Sequence, residues 1–380
     1  MDFKLYEKEV IDLRHYFRSH PEVSSMEVET TKYISKYMSD LGYKITLMSE
    51  TGLTALLFED TTKPAIAIRC EIDALPINDE IEAPYRSQNK GVCHACGHDG
   101  NIATALVLAK IIAQNKESFN KNIKFMFEPA EETGSGAKYM LENKAFENPD
   151  VESFIMFHYS VGDKFGMSLH EKQASATVGN FEITVNGKSS HWCVPQKGVD
   201  AIFGASKVIE AINDINKTST EENPFIIGAG MITGGTANNI ISDKVTITGN
   251  IRTWKYEDYF KISETIKKAI LDADAITGCK TDVFIREDPI KSIENNSYLV
   301  SKALETGKEV FGDKCFIEKR KFLSGDNASI YFTKTKGVMV VFLAAHENNT
   351  YPLHHPKMDL NDNNLIYAVE TLYKLILNIQ

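Results

Sequence analysis

The sequence predicts an α/β protein: a mostly parallel-sheet domain interrupted by an inserted ferredoxin-like α+β domain. Three observations carry this reading. Short apolar strands alternate with helix-length segments over the first 160 residues, the pattern of a parallel sheet. The middle of the chain switches to two-residue alternation and reads β-α-β-β-α-β. The α/β pattern then resumes after about residue 289. With 380 residues, the chain has room for roughly two domains at about 150 residues each.

The elements follow in order. Residues 4–18 and 26–40 carry apolar positions at helical spacing, and strand-like runs follow at 43–48, 53–59 and 64–70. The segment from Asp99 to Gln114 is apolar nearly all round, which marks a buried helix. KNIKFMF (121–127) and SFIMFH (153–158) are short buried strands. Residues 176–188 alternate with period two, as a half-buried strand does. A helix at about 200–216, strands at 224–235 and 242–254, a helix at 257–277 and a strand at 278–288 complete the insert. A helix at 295–311, a strand at 337–345 and a helix at 361–378 close the chain. The expected division is 1–174 with 289–380, interrupted by 175–288.

Bulk properties exclude several classes. The formal net charge is −10, with no basic stripe, which argues against nucleic acid as a partner. No apolar run approaches the ~18 residues of a membrane helix, and the charged N-terminal segment has no apolar targeting core. Six cysteines are too few for a disulfide scaffold. A cytoplasmic protein with reduced, metal-competent thiols is expected, without membrane or nucleic-acid partners.

VCHACGHDG (92–100) holds two cysteines and two histidines within Cys93–His98. Cys93 and Cys96 at CxxC spacing before a helix could form a redox pair. A structural zinc site would need a second pair of ligands, and no second CxxC exists. Haem attachment would need His where Gly97 stands. Cys96 and His98 alternatively offer thiolate and imidazole to a zinc-like ion. In FEPAEETGSG (127–136), Glu131 and Glu132 follow a buried strand. One could bind metal while the other serves as general base, or both could simply favour the N-terminus of a following helix. His158, ending FIMFH, reads equally as a core or edge histidine, His354 and His355 as a polar loop, and His191 as a turn residue. Together, Cys96, His98, Glu132, His158 and one of His354/His355 form a mixed N/S/O set. Two metals sharing one bridging ligand would use all five, leaving Glu131 as base. A redox pair explains none of the distant residues.

The motifs RCEIDALP (69–76), HACGHDG (94–100), EPAEETGSGA (128–137), FH (157–158), GKSSHWCVP (187–195), GGTANNII (234–241), GNIRTW (249–254) and HHP (354–356) occur in an order that resembles the M20 metallopeptidase superfamily, in its aminoacylase/amidohydrolase branch. The resemblance spans nearly the whole chain. It implies two divalent ions (zinc, manganese, cobalt or nickel), with Cys96 bridging, His98 and His158 completing one site, and Glu132 and His354 the other. It implies Glu131 as the base toward a metal-bound water, Asp73 as the carboxylate orienting the site, and His191 as a histidine reaching a partner subunit's site. Asn239 and Arg252 match substrate-holding residues, Arg being suited to a carboxylate. The implied activity is cleavage of the amide bond of small-molecule N-acyl amino acids, by a homodimer whose insert is lid and dimerisation surface. A dipeptidase, or an altered relative that only binds metal and ligand, is the alternative. Glu71, Cys93, Trp192, Cys193, Asn238 and SGDNAS (324–329) depart from the branch pattern. These departures bear on the substrate pocket, whereas the metal set is intact.

Overall fold

The computed structural model describes residues 1–60, 62–346 and 349–380. In chain order the strands are β1 (Lys44–Leu47), β2 (Leu53–Leu57), β3 (Ala65–Glu71), β4 (Asn122–Glu128), β5 (Val151–Ser160), β6 (Phe165–Leu169), β7 (Thr177–Asn186), β8 (Ser190–His191), β9 (Phe225–Gly234), β10 (Ile240–Ile241), β11 (Lys244–Thr253), β12 (Lys280–Ile285), β13 (Cys315–Ile317) and β14 (Lys336–Ala344). The helices are α1 (Glu7–Ser19), α2 (Val28–Asp40), α3 (His98–Gln114), α4 (Gly136–Glu142), α5 (Ala201–Asn216), α6 (Tyr256–Thr277), α7 (Ser297–Phe311), α8 (Ser329–Phe332) and α9 (Leu365–Ile379). Among the described residues, no helix is long and apolar enough to cross a membrane.

The chain divides into two compact units. The first comprises Met1–Ala174, Glu294–Lys319 and Asn327–Gln380, and the second Ser175–Ile293 with Arg320–Asp326. The second unit thus ends at Ile293 and takes back residues 320–326, where the sequence pattern places its end at 288 and all later residues in the first domain. The return segment 320–326 carries no periodic pattern, and it joins the second unit through bonds to its main-chain carbonyls and from the Lys321 side chain. Ser324 accepts from the Ala176 amide at 2.7 Å, and the Leu323 carbonyl accepts from Arg252 Nη1 at 3.0 Å.

In the first unit, eight strands form one sheet in the order β1-β2-β4-β3-β5-β14-β6-β13. The central β4, β3, β5 and β14 are parallel neighbours, and β1, β2 and β6 add antiparallel pairings. Every residue of β2, β3 and β4 is buried, as expected of strands covered on both faces. Helix α3 is buried from His98 through Ala109 and packs against α1, α9 and the sheet. Its Ile102, Leu106, Val107 and Leu108 are fully inaccessible, and each such side chain contributes about 1.5–3 kcal/mol. The core therefore fixes the strand-to-helix junction at His98. Strand β5 continues two residues beyond His158, so that histidine lies within a strand rather than at its end. Strands β6 and β13 are too short to show a period in the sequence.

Two buried arginines of α1 clamp the loops on this side of the sheet. Arg14 Nε binds Asp99 Oδ2 at 3.0 Å, Nη1 binds the Leu360 carbonyl at 3.0 Å, and the guanidinium also pairs with Asp359 and Asp362. Arg18 makes a bidentate pair with Asp79 at 2.9 and 2.9 Å. Its remaining N–H groups reach the carbonyls of His94 at 2.8 Å and Met358 at 2.9 Å. One side chain thus ties the segment before Cys96 to the segment after His354. Arg18→Met strands a carboxylate, Asp79, whose side chain is only 1% exposed. Such a lone buried charge costs about 3–5 kcal/mol. Chemical denaturation should show that loss, and a smaller one for Arg18→Met/Asp79→Leu.

In the second unit, the antiparallel sheet runs β12-β7-β11-β9, with α5 and α6 packed on it. Phe181, Ile183 and Val185 of β7 face inward at alternate positions and meet Val208 and Ile212 of α5 and Ile266 and Ile270 of α6. The predicted β-α-β-β-α-β order is present. The ribbon β8–β10 sits outside this sheet, pairing His191 with Ile240.

Candidate metal centre

The site is assembled where the first unit's sheet hands the chain to its loops. Gly97, with φ +85°, occupies the left-handed region that favours glycine, and it turns the chain between Cys96 and His98. His98 opens α3. Its Nδ1 lies 2.9 Å from the Asp73 carbonyl and 3.4 Å from Asp73 Oδ1. The shorter contact is the hydrogen bond. In the neutral, metal-ligating ring, an Nδ1–H donated there leaves Nε2 as the lone-pair nitrogen, and Nε2 is buried with no hydrogen-bond partner. His158 repeats the logic: Nδ1 lies 2.6 Å from the Tyr159 carbonyl, and Nε2 lies 3.6 Å from Cys96 Sγ.

Asp73 follows β3 and is inaccessible to solvent. Its Oδ2 accepts from Ser24 Oγ at 2.6 Å and from the Glu132 amide at 3.0 Å. Burial works to raise its pKa, but His98, the Ser24 hydroxyl and the Glu132 N–H outweigh it and hold the carboxyl at about 2. Asp73 therefore stays an anion and fixes both His98 and the Glu132 backbone. Glu132 Oε1 is buried without a partner, and Oε2 lies 3.5 Å from His354 Nε2. His354 has φ +67° and donates its amide to the Ala95 carbonyl at 2.7 Å, which binds the HHP loop to the cysteine loop.

Donor atoms within 4.8 Å of one another form three groups: Cys96–His98–His158, Cys96–Glu132–His354 and His98–Glu131–Glu132. Cys96 is common to the first two. The unpartnered buried Nε2 of His98 and Oε1 of Glu132 fit divalent cations, because such atoms are destabilising unless something ligates them. The thiol fits as well. Burial pushes the Cys96 thiol well up, so it needs a cation beside Sγ to ionise. Cys93 is likewise pushed up, to about 11, by burial. Neither cysteine has the depressed pKa of a redox pair, and all six cysteines are free thiols. His94 is buried and drawn down to about 4 by burial, hence neutral, and it belongs to none of the three groups among the described residues.

The second unit holds the other candidates. His191 is exposed on β8, and its Nδ1 accepts from the Cys193 amide at 3.0 Å. Asn239 is next to it in space, its carbonyl accepting from the Trp192 amide at 3.3 Å. Arg252, on β11, donates Nε to Asn250 Oδ1 at 2.9 Å. Two departures from the branch pattern turn out to be neighbours in the first unit. The buried Arg69 pairs with Glu71 and Glu128 and donates to Asn327 Oδ1 at 3.0 Å, while Glu71 Oε2 accepts from Asn101 of α3 at 3.0 Å. Ser24 and Arg18, which support the site from far along the chain, are not among the residues the sequence singles out. No spacing signal marks either.

A mostly parallel sheet with a clustered imidazole, thiol and carboxylate donor set at one edge of its core, plus a ferredoxin-like insert, defines the class of two-domain metallohydrolases. The model of peptidase family M20/M25/M40 matches residues 67–378, and the chain belongs to this family. An N-acetyl-L-cysteine deacetylase of Bacillus subtilis is 30% identical over 97% of this chain and 87% of the relative. A hippurate hydrolase of Campylobacter jejuni is 30% identical over 96% and 95%. Among solved structures, a dinuclear metal binding peptidase of the M20 family from Bacillus subtilis superposes with a TM-score of 0.81 at 25% identity, covering 98% of both chains.

Proposed function

We propose that this protein is a metal-dependent amidohydrolase cleaving N-acyl amino acids to a carboxylic acid and a free amino acid. The observation that carries the reading is Cys96 shared between two donor groups, with Glu131 in a third group beside His98 and Glu132. Cys96, His98 and His158 would hold one divalent ion, and Cys96, Glu132 and His354 another. Zinc, manganese, cobalt and nickel all suit this mixed donor set. The ions, when bound, supply Lewis acidity toward the amide carbonyl and lower the pKa of water.

The chain's own residues supply the rest. Glu131 takes the proton of the attacking water and returns it to the leaving amine. Asp73 holds the His98 ring and the Glu132 backbone in place. His191 stabilises the developing oxyanion, acting in a partner subunit's site, and Asn239 and Arg252 hold the amino-acid part by its carboxylate. The names of the hippurate and N-acetylcysteine hydrolysing relatives support this substrate class. The free thiols suit the cytoplasm. Protein reconstituted with each metal should hydrolyse acetyl, benzoyl or longer acyl amino acids; activity on dipeptides alone would make it a dipeptidase instead.

A homodimer through the second unit is part of the proposal. Ile226, Met231 and Ile232 on the edge strand β9, and Ile202 and Phe203 on α5, are 47–68% exposed, more apolar surface than an unpaired edge strand usually shows. Met231→Glu/Ile232→Lys should convert the dimer to monomer in sedimentation velocity without unfolding it. A wild-type monomer would refute this part of the reading.

A further inference from the structure

We propose that Glu27, at the N-terminal end of α2, is a positioning residue for Glu131: its carboxylate sets the backbone of the loop that carries the base. This inference rests on the reading of Glu131 as general base.

Glu27 is wholly buried. Its Oε1 accepts from the Ala130 amide at 2.8 Å and from the Ser25 amide at 2.9 Å. Ala130, immediately before Glu131, has φ +53°, a conformation that a residue with a Cβ adopts only when its surroundings impose it. The other side of this residue is fixed too, since the Ala130 carbonyl accepts from the Gly136 amide at 3.0 Å and from Thr133 Oγ1 at 3.2 Å. Beyond Glu131, the Glu132 amide is held by Asp73, which Ser24 holds in turn. One short segment, Ser24 to Glu27, therefore secures the main chain on both sides of Glu131.

The chemistry of Glu27 fits positioning better than fold stability. Its Oε2 is buried without a hydrogen-bond partner. Burial, against the pull of its own backbone amide and of the Ala130 and Ser25 amides and with help from the Asp73 charge, raises its pKa to about 7. A buried carboxyl satisfied on one oxygen only is unfavourable to the fold. What it gains is a strong acceptor for one strained amide. Displacing a catalytic group by about 1 Å can cost about 100-fold in rate.

The test is a double-mutant cycle on the metal-loaded full chain. Glu27→Met should lower kcat about 10–100-fold with KM and the two-ion stoichiometry retained. It should also speed hydrogen exchange in residues 128–136. Glu27→Gln, which keeps the acceptor, should stay near wild type. In a Glu131→Gln background the Glu27→Met effect should vanish, because there is no base left to position. If Glu27→Met does not fold, Glu27→Asp keeps the charge but withdraws the acceptor, and should give the same pattern. Equal losses in both backgrounds, loss of metal in step with activity, or an unchanged kcat would overturn the proposal. An active Glu131→Gln enzyme would instead overturn the base assignment itself, so the two failures are told apart.

Discussion

Glu131→Gln is expected to lower kcat by about 10²–10⁴-fold while metal content and KM stay near wild type. The amide keeps the size of the side chain and its hydrogen-bonding reach but cannot accept the proton of the attacking water. The geometry makes this a sharp test, because Glu131 shares a donor group with His98 and Glu132 and a carboxylate so placed could equally ligate a cation. The two roles separate in one experiment. A base leaves metal stoichiometry intact when neutralised, whereas a ligand takes the metal with it. Glu132→Gln is the control and should lose metal, since its carboxylate sits in two of the three donor groups, one of them with Cys96 and His354. Turnover near wild type with metal retained would remove Glu131 from the mechanism. The pH profile should follow: the acid limb of kcat/KM that reports a free-enzyme base should disappear in the variant.

Much of this arrangement was legible in the sequence, and the reason differs from element to element. Helix α3 announced itself because a helix apolar on every side has only a buried solution. Strand β7 did so because its inward residues recur every second position. The donor residues were legible because ionisable imidazole and carboxylate side chains are seldom fully buried unless paired or ligated, and Glu131 and Glu132 fall just after a buried strand. What stayed hidden depends on contacts between distant segments. Ser24 meets Asp73 across 49 residues, Glu27 meets Ala130 across 103, and Arg18 meets Met358 across 340. Each is an ordinary polar residue in its local sequence, and only the fold makes it a support. The left-handed backbone at Ala130 and His354 was equally hidden, since alanine rarely adopts it and histidine, though enriched there, does so in only a minority of cases. Segment 320–326 groups with the second unit without a sequence signal, because a loop held largely through its carbonyls and a few long side chains leaves no periodic mark. Glu71 and Asn327 read as separate departures, yet they bind the same guanidinium. Changing one should therefore be felt by the other.

Cys96→Ala is expected to strip both ions, a larger effect on metal binding than the loss of His158 or His354. His158 and His354 each sit in one of the three donor groups, whereas Cys96 sits in two. His158→Ala should therefore lower occupancy by one ion per chain and Cys96→Ala by two. Asp73→Asn sets the scale for comparison. It removes the negative charge beside His98 and the anionic acceptor of the Glu132 amide without removing a ligand, and outer groups of this kind typically change metal affinity about 10–100-fold. Loss of Cys96 should exceed that range. The thiol chemistry supplies an independent readout. Burial raises the Cys96 pKa, so the metal-free chain carries a neutral thiol there at neutral pH, and ligation must expel its proton. Apparent metal affinity should consequently rise with pH, and calorimetry in buffers of different ionisation enthalpy should register proton release that Cys96→Ala abolishes. Thiol titration should find Cys96 protected until a chelator is added. If the alanine variant keeps two ions per chain, Cys96 is not the shared ligand, and the three donor groups must be divided between the ions without it.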